Sequence, residues 1–292
     1  MITIQELKVK YGDKVALTIN EPILIEPNDR IGVIGSNGAG KTTLVNAILG
    51  LIPYHGTILR DVHPSEMGVH MQFNEYPSTV PIWMVMEAIL NTDLKSNALV
   101  NELIDFFDFR ECLKKRYGKL SGGQKQRLTL ILVLSQDYKI LFFDEVTSGL
   151  DFETRQRLID LLVKWYSEKE TTLCMISHYY QELSALVDKI LLLDEGNVIE
   201  YGDRQDLFRK YCGRTILICD NNPVNRQLIS PFPILKSAEH MIAVKCIDEQ
   251  TEAEAVKVLQ AANVDYIRSS DDIEIMSINA KERYYATHTQ GN

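Results

Sequence analysis

The stretch Arg30–Thr42, RIGVIGSNGAGKT, decides the fold class of this chain. An apolar run over 30–34 leads into a glycine-rich segment over 35–42, and residues 43–49 have helical spacing that ends at Gly50. This order of strand, glycine loop and helix carries the fixed positions G-x-x-x-x-G-K-[ST]. It predicts a loop whose backbone amides surround a di- or triphosphate at the N-terminus of a helix.

Two side chains of this loop have a predicted chemical role. Lys41 is placed to bridge the β- and γ-phosphates, and the Thr42 hydroxyl is placed to ligate Mg²⁺. The candidate nucleotide-binding residues of the loop are Gly35, Ser36, Asn37, Gly38, Ala39, Gly40, Lys41, Thr42 and Thr43.

A pair of carboxylates follows a second apolar strand. Asp144 and Glu145 come directly after residues 140–143, and the carboxyl end of a buried parallel strand is where open α/β sheets bind ligands. We predict that Asp144 holds Mg²⁺ through a water molecule. We predict that Glu145 is the general base that polarises the attacking water.

Composition narrows the class of protein. The 292 residues include 31 Lys and Arg against 40 Asp and Glu, and the net charge of −9 excludes a generally basic nucleic-acid coat. The apolar runs are far shorter than the roughly 20 residues of a membrane-spanning helix, and the N-terminal segment lacks the pattern of a secretory signal. We therefore expect a cytoplasmic chain. Five scattered cysteines without a C-x-x-C pair predict reduced thiols.

The remaining segments predict an α/β fold. Short strand-like runs over 2–25 predict an antiparallel β subdomain, and residues about 78–121 form a helical insertion. Apolar strands that alternate with helices over 124–176 predict a parallel core sheet covered on both faces. We assign residues 1–212 to one nucleotide-binding domain.

The pattern changes near Gly213. Residues 213–292 are predicted to form a small C-terminal α+β accessory domain. Its predicted elements are strands over 215–219, 241–247 and 273–278 and a helix over 252–262.

A third motif is more specific than the first two. The segment 120–127, LSGGQKQR, resembles the signature motif of ATP-binding cassette (ABC) ATPases, and it lies between the phosphate loop and the carboxylate pair as in that family. The resemblance makes Ser121, Gly122, Gly123 and Gln124 candidate contacts to the γ-phosphate of an ATP held by another subunit. The physical basis is a hydroxyl and free amides at the start of a long helix.

The resemblance extends over residues 1 to about 212 with the family's motifs in order. It identifies Gln72 as the glutamine that senses Mg²⁺ or lytic water, Asp151 as the end of the loop that crosses the dimer interface, and His178 as the switch histidine. Tyr11 matches the aromatic residue that stacks on adenine. The sequence departs from the family's common pattern at three positions, Val146, Gly149 and Tyr179. None of these departures removes a group that the chemistry requires.

The resemblance implies a subunit that dimerises around two ATP and Mg²⁺, as a homodimer or heterodimer. It also implies separate transmembrane permease subunits that hold the chain at the inner face of the membrane, and it implies no nucleic-acid partner. Glu145, His178, Gln72 and Lys41 would be catalytic, and Thr42, Gln72 and Asp144 would be the metal-binding residues.

The first class of function is the ATP-binding subunit of an ABC transporter; its direction of transport and two other classes of function stay open at this point. The short cassette with a small C-terminal appendage is similar to subunits of bacterial exporters of drugs, peptides or polymers, and this analogy favours export over import. A soluble ABC ATPase acting on ribosomes or DNA is the second class, against which the net charge of −9 argues. A regulatory module with inactive sites is the third class, although Lys41, Asp144, Glu145 and His178 are all present.

Overall fold

The computed structural model describes residues 1–70 and 76–288. The predicted site residue Gln72 lies outside these described residues. The strands are β1 Ile2–Tyr11, β2 Lys14–Ile19, β3 Ile23–Ile25, β4 Arg30–Ile34, β5 His55–Arg60, β6 Met67–His70, β7 Ile140–Asp144, β8 Thr172–Ile176, β9 Lys189–Asp194, β10 Asn197–Asp203, β11 Thr215–Asp220, β12 Ile234–Leu235, β13 Met241–Cys246 and β14 Tyr266–Ser269. The helices are α1 Lys41–Ile48, α2 Ile82–Leu90, α3 Ala98–Phe106, α4 Gly122–Leu134, α5 Phe152–Glu168, α6 Tyr180–Leu186, α7 Arg204–Cys212, α8 Pro223–Leu228, α9 Glu249–Ala261 and α10 Ile273–His288.

The larger sheet combines a parallel core with an antiparallel part. Its order is β3-β1-β2-β10-β9-β4-β8-β7-β6, and β5 pairs with β1. The strands β9, β4, β8, β7 and β6 are parallel to one another, whereas β10 pairs antiparallel with β9, and β1 pairs antiparallel with β2, β3 and β5. Together with the helical insertion that contains α2 and α3, this arrangement confirms the predicted α/β fold class.

The parallel strands are buried on both faces, because their side chains alternate between two apolar clusters. In β7, Ile140 and Phe142 face the cluster that includes α1 and the antiparallel strands, whereas Leu141 and Phe143 face the cluster that includes α4 and α5. A strand covered on both sides has no polar face. Its functional side chains therefore occur only where it ends, at Asp144.

The C-terminal part differs from the sequence prediction in one element. Residues 273–278 were expected to form a strand but belong to the helix α10. The isoleucines of this segment favour a strand locally, but burial at Ile273, Met276 and Ala280 has helical spacing, and Asp272 Oδ1 caps the helix by accepting from Ile275 N at 2.8 Å. Tertiary packing therefore overrides local propensity.

The C-terminal strands form a second sheet, in the order β12-β13-β11-β14. One face packs on α9 in a small separate cluster, and residues of the other face, such as Ile216 and Ala243, join the large cluster of the N-terminal part. The α10 residues Met276 and Ala280 belong to that large cluster as well. The division of the chain into 1–212 and 213–292 stays a prediction, and the two parts share apolar packing.

Within 1–70 and 76–288, no helix combines the length and the apolar character that crossing a membrane requires. The five cysteines are buried free thiols.

Candidate functional site

The glycine loop connects β4 to α1, and its geometry requires glycine at two positions. Gly35 has a φ of +152°, and a Cβ there would lie 2.2 Å from the carbonyl oxygen of Leu193. Gly40 has a φ of +102° and would place a Cβ 3.0 Å from the carbonyl oxygen of Ala16. A side chain at either position would be strained or would clash with backbone. The loop is therefore held closely against β2 and β9.

Lys41 lies at the base of this loop and is buried. Its Nζ donates to the carbonyl oxygens of Gly35 at 2.8 Å and Ser36 at 3.1 Å. Burial lowers the pKa of Lys41, and the charges of Glu145 and Asp144 oppose that shift. The ammonium group is thus aimed into the loop where a phosphate would enter.

Thr42 and Asp144 meet beside the loop. The Thr42 hydroxyl donates to Asp144 Oδ2 at 2.8 Å, which connects the first turn of α1 to the end of β7. Burial raises the pKa of Asp144, and the hydrogen bond from Thr42 opposes this shift. A hydroxyl and a carboxylate are oxygen ligands of the kind that Mg²⁺ prefers. These two residues therefore fit a magnesium ion.

Glu145 and His178 form the second close pair of the site. His178 Nε2 lies 3.2 Å from Glu145 Oε1. The pair forms because β7 and β8 are parallel neighbours in which Asp144 is in register with Ile176, so their following residues meet at one edge of the sheet. Glu145 has a φ of +52°, a conformation that costs a non-glycine residue energy and often occurs at functional sites.

A buried carboxylate behind this pair was missed in the sequence. Glu182 Oε2 accepts from Thr147 Oγ1 at 2.9 Å and from Ser177 Oγ at 3.0 Å, and Arg155 Nε lies 3.6 Å from Glu182 Oε1. Burial raises the pKa of Glu182, whereas the two hydroxyl hydrogen bonds and Arg155 lower it. Glu182 therefore joins the segment after Glu145 to the segment before His178. Its position four residues after His178 is the only sequence signal that could have indicated it.

The signature residues lie at the exposed start of α4. Ser121 Oγ accepts from Gln124 N at 3.3 Å, and Gln124 Oε1 accepts from Ser121 N at 3.1 Å, which forms a capping box. Gly122 and Gly123 form the first turn. Gln126 Nε2 donates to the carbonyl oxygen of Val146 at 2.8 Å and so fixes α4 against the carboxylate segment.

The outlying predicted residues have separate positions. Tyr11 ends β1 and is 53% exposed, so its ring is accessible to a ligand. Asp151 caps α5 by accepting from Thr154 N at 2.9 Å, and its carboxylate lies 3.5 Å from Arg127. The departures from the family pattern are accommodated, since Gly149 has a φ of +78° and Tyr179 stacks under Arg155.

The structure thus brings Lys41, Thr42, Asp144, Glu145 and His178 together at one sheet edge. A glycine loop followed by a helix, with paired carboxylates on a neighbouring parallel strand, defines the class of P-loop α/β nucleotide-binding proteins.

Comparisons with known proteins give the family. The ABC transporter family model matches residues 22–148. The thiamine import ATP-binding protein ThiQ of Haemophilus influenzae is 34% identical over 188 residues, a match that covers 60% of this chain and 87% of ThiQ. The chain therefore belongs to the ABC transporter family.

Two further relatives differ in the share of each chain that the match covers. The methionine import ATP-binding protein MetN of Corynebacterium efficiens is 33% identical over 214 residues, or 67% of this chain, and the chain spans only 58% of MetN. The linearmycin resistance ATP-binding protein LnrL of Bacillus subtilis is 25% identical over 246 residues, or 78% of each chain. The relatives thus include both importers and a resistance protein.

A solved structure has the same fold. It is a dimeric ATP-binding cassette in a post-hydrolysis state, bound to ADP and Pi, with a TM-score of 0.58 and 21% sequence identity over 70% of this chain and 98% of that one.

Proposed function

We propose that this chain hydrolyses ATP as a dimer of two cassettes and powers transport through separate transmembrane permease subunits. The observation that carries the proposal is the Glu145–His178 contact of 3.2 Å beside the Thr42–Asp144 hydrogen bond of 2.8 Å, at the mouth of the glycine loop. A base, a residue to orient it and a cation site at one sheet edge are the parts that phosphoryl transfer to water requires.

Each residue of the candidate site has a role in this mechanism. Lys41 exchanges its loop carbonyls for the β- and γ-phosphate oxygens of ATP and so neutralises their charge. Glu145 accepts the proton of the attacking water, and His178 holds the carboxylate or the γ-phosphate in position. Mg²⁺, held by Thr42 and Asp144, would add Lewis-acid neutralisation of the phosphate charge. The Tyr11 ring stacks on adenine.

The second half of each ATP site comes from a second cassette. Ser121 and Gly123 present a hydroxyl and amides outward at the start of α4, where the helix dipole attracts an anion. In a head-to-tail dimer these groups contact the γ-phosphate bound to the partner. ATP then joins the two cassettes, and its hydrolysis separates them.

The permease contact is assigned to the helical insertion. Trp83, Met84 and Ile89 on α2 are 40%, 43% and 41% exposed, a group of large apolar side chains that a partner would cover. Trp83 and Glu87 also line an open cavity of about 790 Å³ on this insertion. This surface would place the chain at the inner face of the membrane.

Export is the proposed direction. The match to LnrL, a resistance protein, covers 78% of this chain, whereas those to MetN and ThiQ cover 67% and 60%. The importer matches support the opposite direction. The transported substrate is recognised by the permease and is not assigned.

Two experiments test the proposal. The purified chain should hydrolyse ATP, and a Glu145→Gln variant should form an ATP-dependent dimer whose mass is read by light scattering after gel filtration. The direction is tested in vesicles that contain the chain and its co-purifying permease, with ATP supplied on one side. Substrate accumulation on the side opposite to the cassettes supports export, and accumulation on the cassette side supports import.

A further inference from the structure

The C-terminal helix α10 reaches the phosphate loop through Asp194, the last residue of β9. Asp194 Oδ1 accepts from Ser36 Oγ at 2.9 Å and from Lys281 Nζ at 2.8 Å, and Asp194 Oδ2 accepts from Tyr285 Oη at 2.8 Å. Ser36 belongs to the glycine loop, whereas Lys281 and Tyr285 belong to α10. The carboxylate therefore connects the C-terminal part to the loop that receives the phosphates.

These contacts keep the carboxylate charged. Burial by itself would raise the pKa of Asp194, but the hydrogen bonds from Lys281, Tyr285 and Ser36 outweigh burial and bring the pKa below its usual range. Asp194 and Lys281 are only 13% and 27% exposed, so solvent screens their interaction less than it screens a surface pair. The connection between α10 and Ser36 is thus a charged, partly buried network.

The same face of α10 contacts the opposite side of the site. Ser277, Lys281 and Tyr285 are four residues apart, so they lie on one face of the helix. Ser277 is buried and lies close to the side chain of Tyr180, which is the first residue of α6 and the second residue after His178. One helical face therefore contacts both the segment of the switch histidine and the support of the phosphate loop.

We propose that Lys281 and Tyr285 are positioning residues of the ATP site, which act through Asp194 and Ser36 to hold the phosphate loop in its binding conformation. The C-terminal part then sets the affinity for ATP. This inference rests on the proposed function, because it takes the loop as the ATP-binding site.

The physical reason is preorganisation. The loop depends on contacts from outside itself, since Gly35 has a φ of +152° that any other residue would resist. When Lys281 or Tyr285 loses its donor group, Asp194 is less firmly oriented and Ser36 loses a fixed acceptor. The loop then has to be ordered by ATP itself, which weakens binding. Glu145 and His178 are held by separate contacts, so turnover at saturating ATP should change little.

The experiment uses the full chain with Lys281→Met and Tyr285→Phe. We expect the Kd and the KM for ATP to rise by about fivefold, as for the loss of one hydrogen bond of ordinary strength, with kcat changed by less than about twofold. Lys281→Arg keeps the donor and should restore the wild-type Kd. The matched control is Lys236→Met. It breaks an exposed ion pair to α10, in which Lys236 Nζ lies 3.3 Å from Glu282 Oε1, and it should leave the Kd unchanged.

Each outcome decides one question. Lys41→Ala is the reference for the ATP site, and a wild-type Kd in that variant would contradict the proposed function itself. If Lys41→Ala loses ATP while Lys281→Met and Tyr285→Phe bind it normally, the site stands and the positioning role is wrong. A lower Tm with an unchanged Kd would also overturn the proposal, because α10 would then serve only the fold. Should Lys281→Met fail to fold, Tyr285→Phe, which removes a single hydroxyl, decides.

Discussion

The phosphate-loop side and the signature side of this chain are built in opposite ways. On the first, Lys41, Thr42 and Glu145 all contact other groups of the same site within the chain. On the second, Ser121 is exposed and its hydroxyl accepts a hydrogen bond within its own capping box. The first side is preorganised for a ligand by contacts within the chain, whereas the second is an exposed helix terminus. This difference is what we expect of a chain that carries two halves of two different sites.

Mixed dimers test this comparison with the largest expected effect. Lys41→Ala removes the loop cation and Ser121→Arg places a bulky side chain where the γ-phosphate would lie, so each homodimer should lose at least about 10²-fold in ATPase rate. A mixed dimer gathers both changes in one composite site and leaves the other intact. Mixing the two variants should therefore restore hydrolysis well above either parent, as measured by phosphate release.

The control for this experiment is wild type mixed with each variant, because those dimers also hold one intact site. Suppose that the control mixtures exceed the activity of the wild-type homodimers they contain, while the mixture of the two variants is inactive. This result would show that the signature serves its own chain. Control mixtures with no more activity than their wild-type homodimers would show that the two sites work only together.

Glu145→Gln tests the preorganised side alone. The amide keeps the shape of the side chain but cannot accept a proton, so kcat should fall by at least about 10²-fold while ATP binding is retained. Phosphate release and a nucleotide titration measure the two quantities. Near-normal turnover in this variant would remove Glu145 from the role of general base.

The sequence predicts the residues of short motifs better than it predicts contacts between distant segments, for a physical reason. Lys41 and Thr42 lie in one short motif whose spacing reflects the ligand, so the residues themselves carry the prediction. The Ser36–Asp194 hydrogen bond joins residues 158 positions apart, and no local pattern specifies it. The C-terminal helix illustrates the same limit, because its isoleucines favour a strand until packing against the large cluster selects a helix.

Glu182→Met tests the support behind the Glu145–His178 pair. The apolar side chain has a similar size but leaves the hydroxyls of Thr147 and Ser177 without their buried acceptor, which should lower the free energy of unfolding by about 1–3 kcal/mol. Thermal denaturation measures this loss. Glu102→Met, at an exposed position of α3, is the control and should leave the Tm unchanged. Equal Tm values for both variants would mean that Glu182 is not a stabilising acceptor.

The smallest expected effect belongs to Tyr11, which ends β1 on the phosphate-loop side and is 53% exposed. A ring that packs in no core can be removed at little cost to folding, so its loss should appear only in the presence of nucleotide. Tyr11→Ala should weaken ATP binding by about 1 kcal/mol, the energy of one aromatic contact, with saturated turnover nearly unchanged. Tyr11→Phe keeps the ring and should bind as the wild type does. If the alanine variant gives the same titration curve as the wild type, other residues hold the adenine, and the preorganised side binds only the phosphates of ATP.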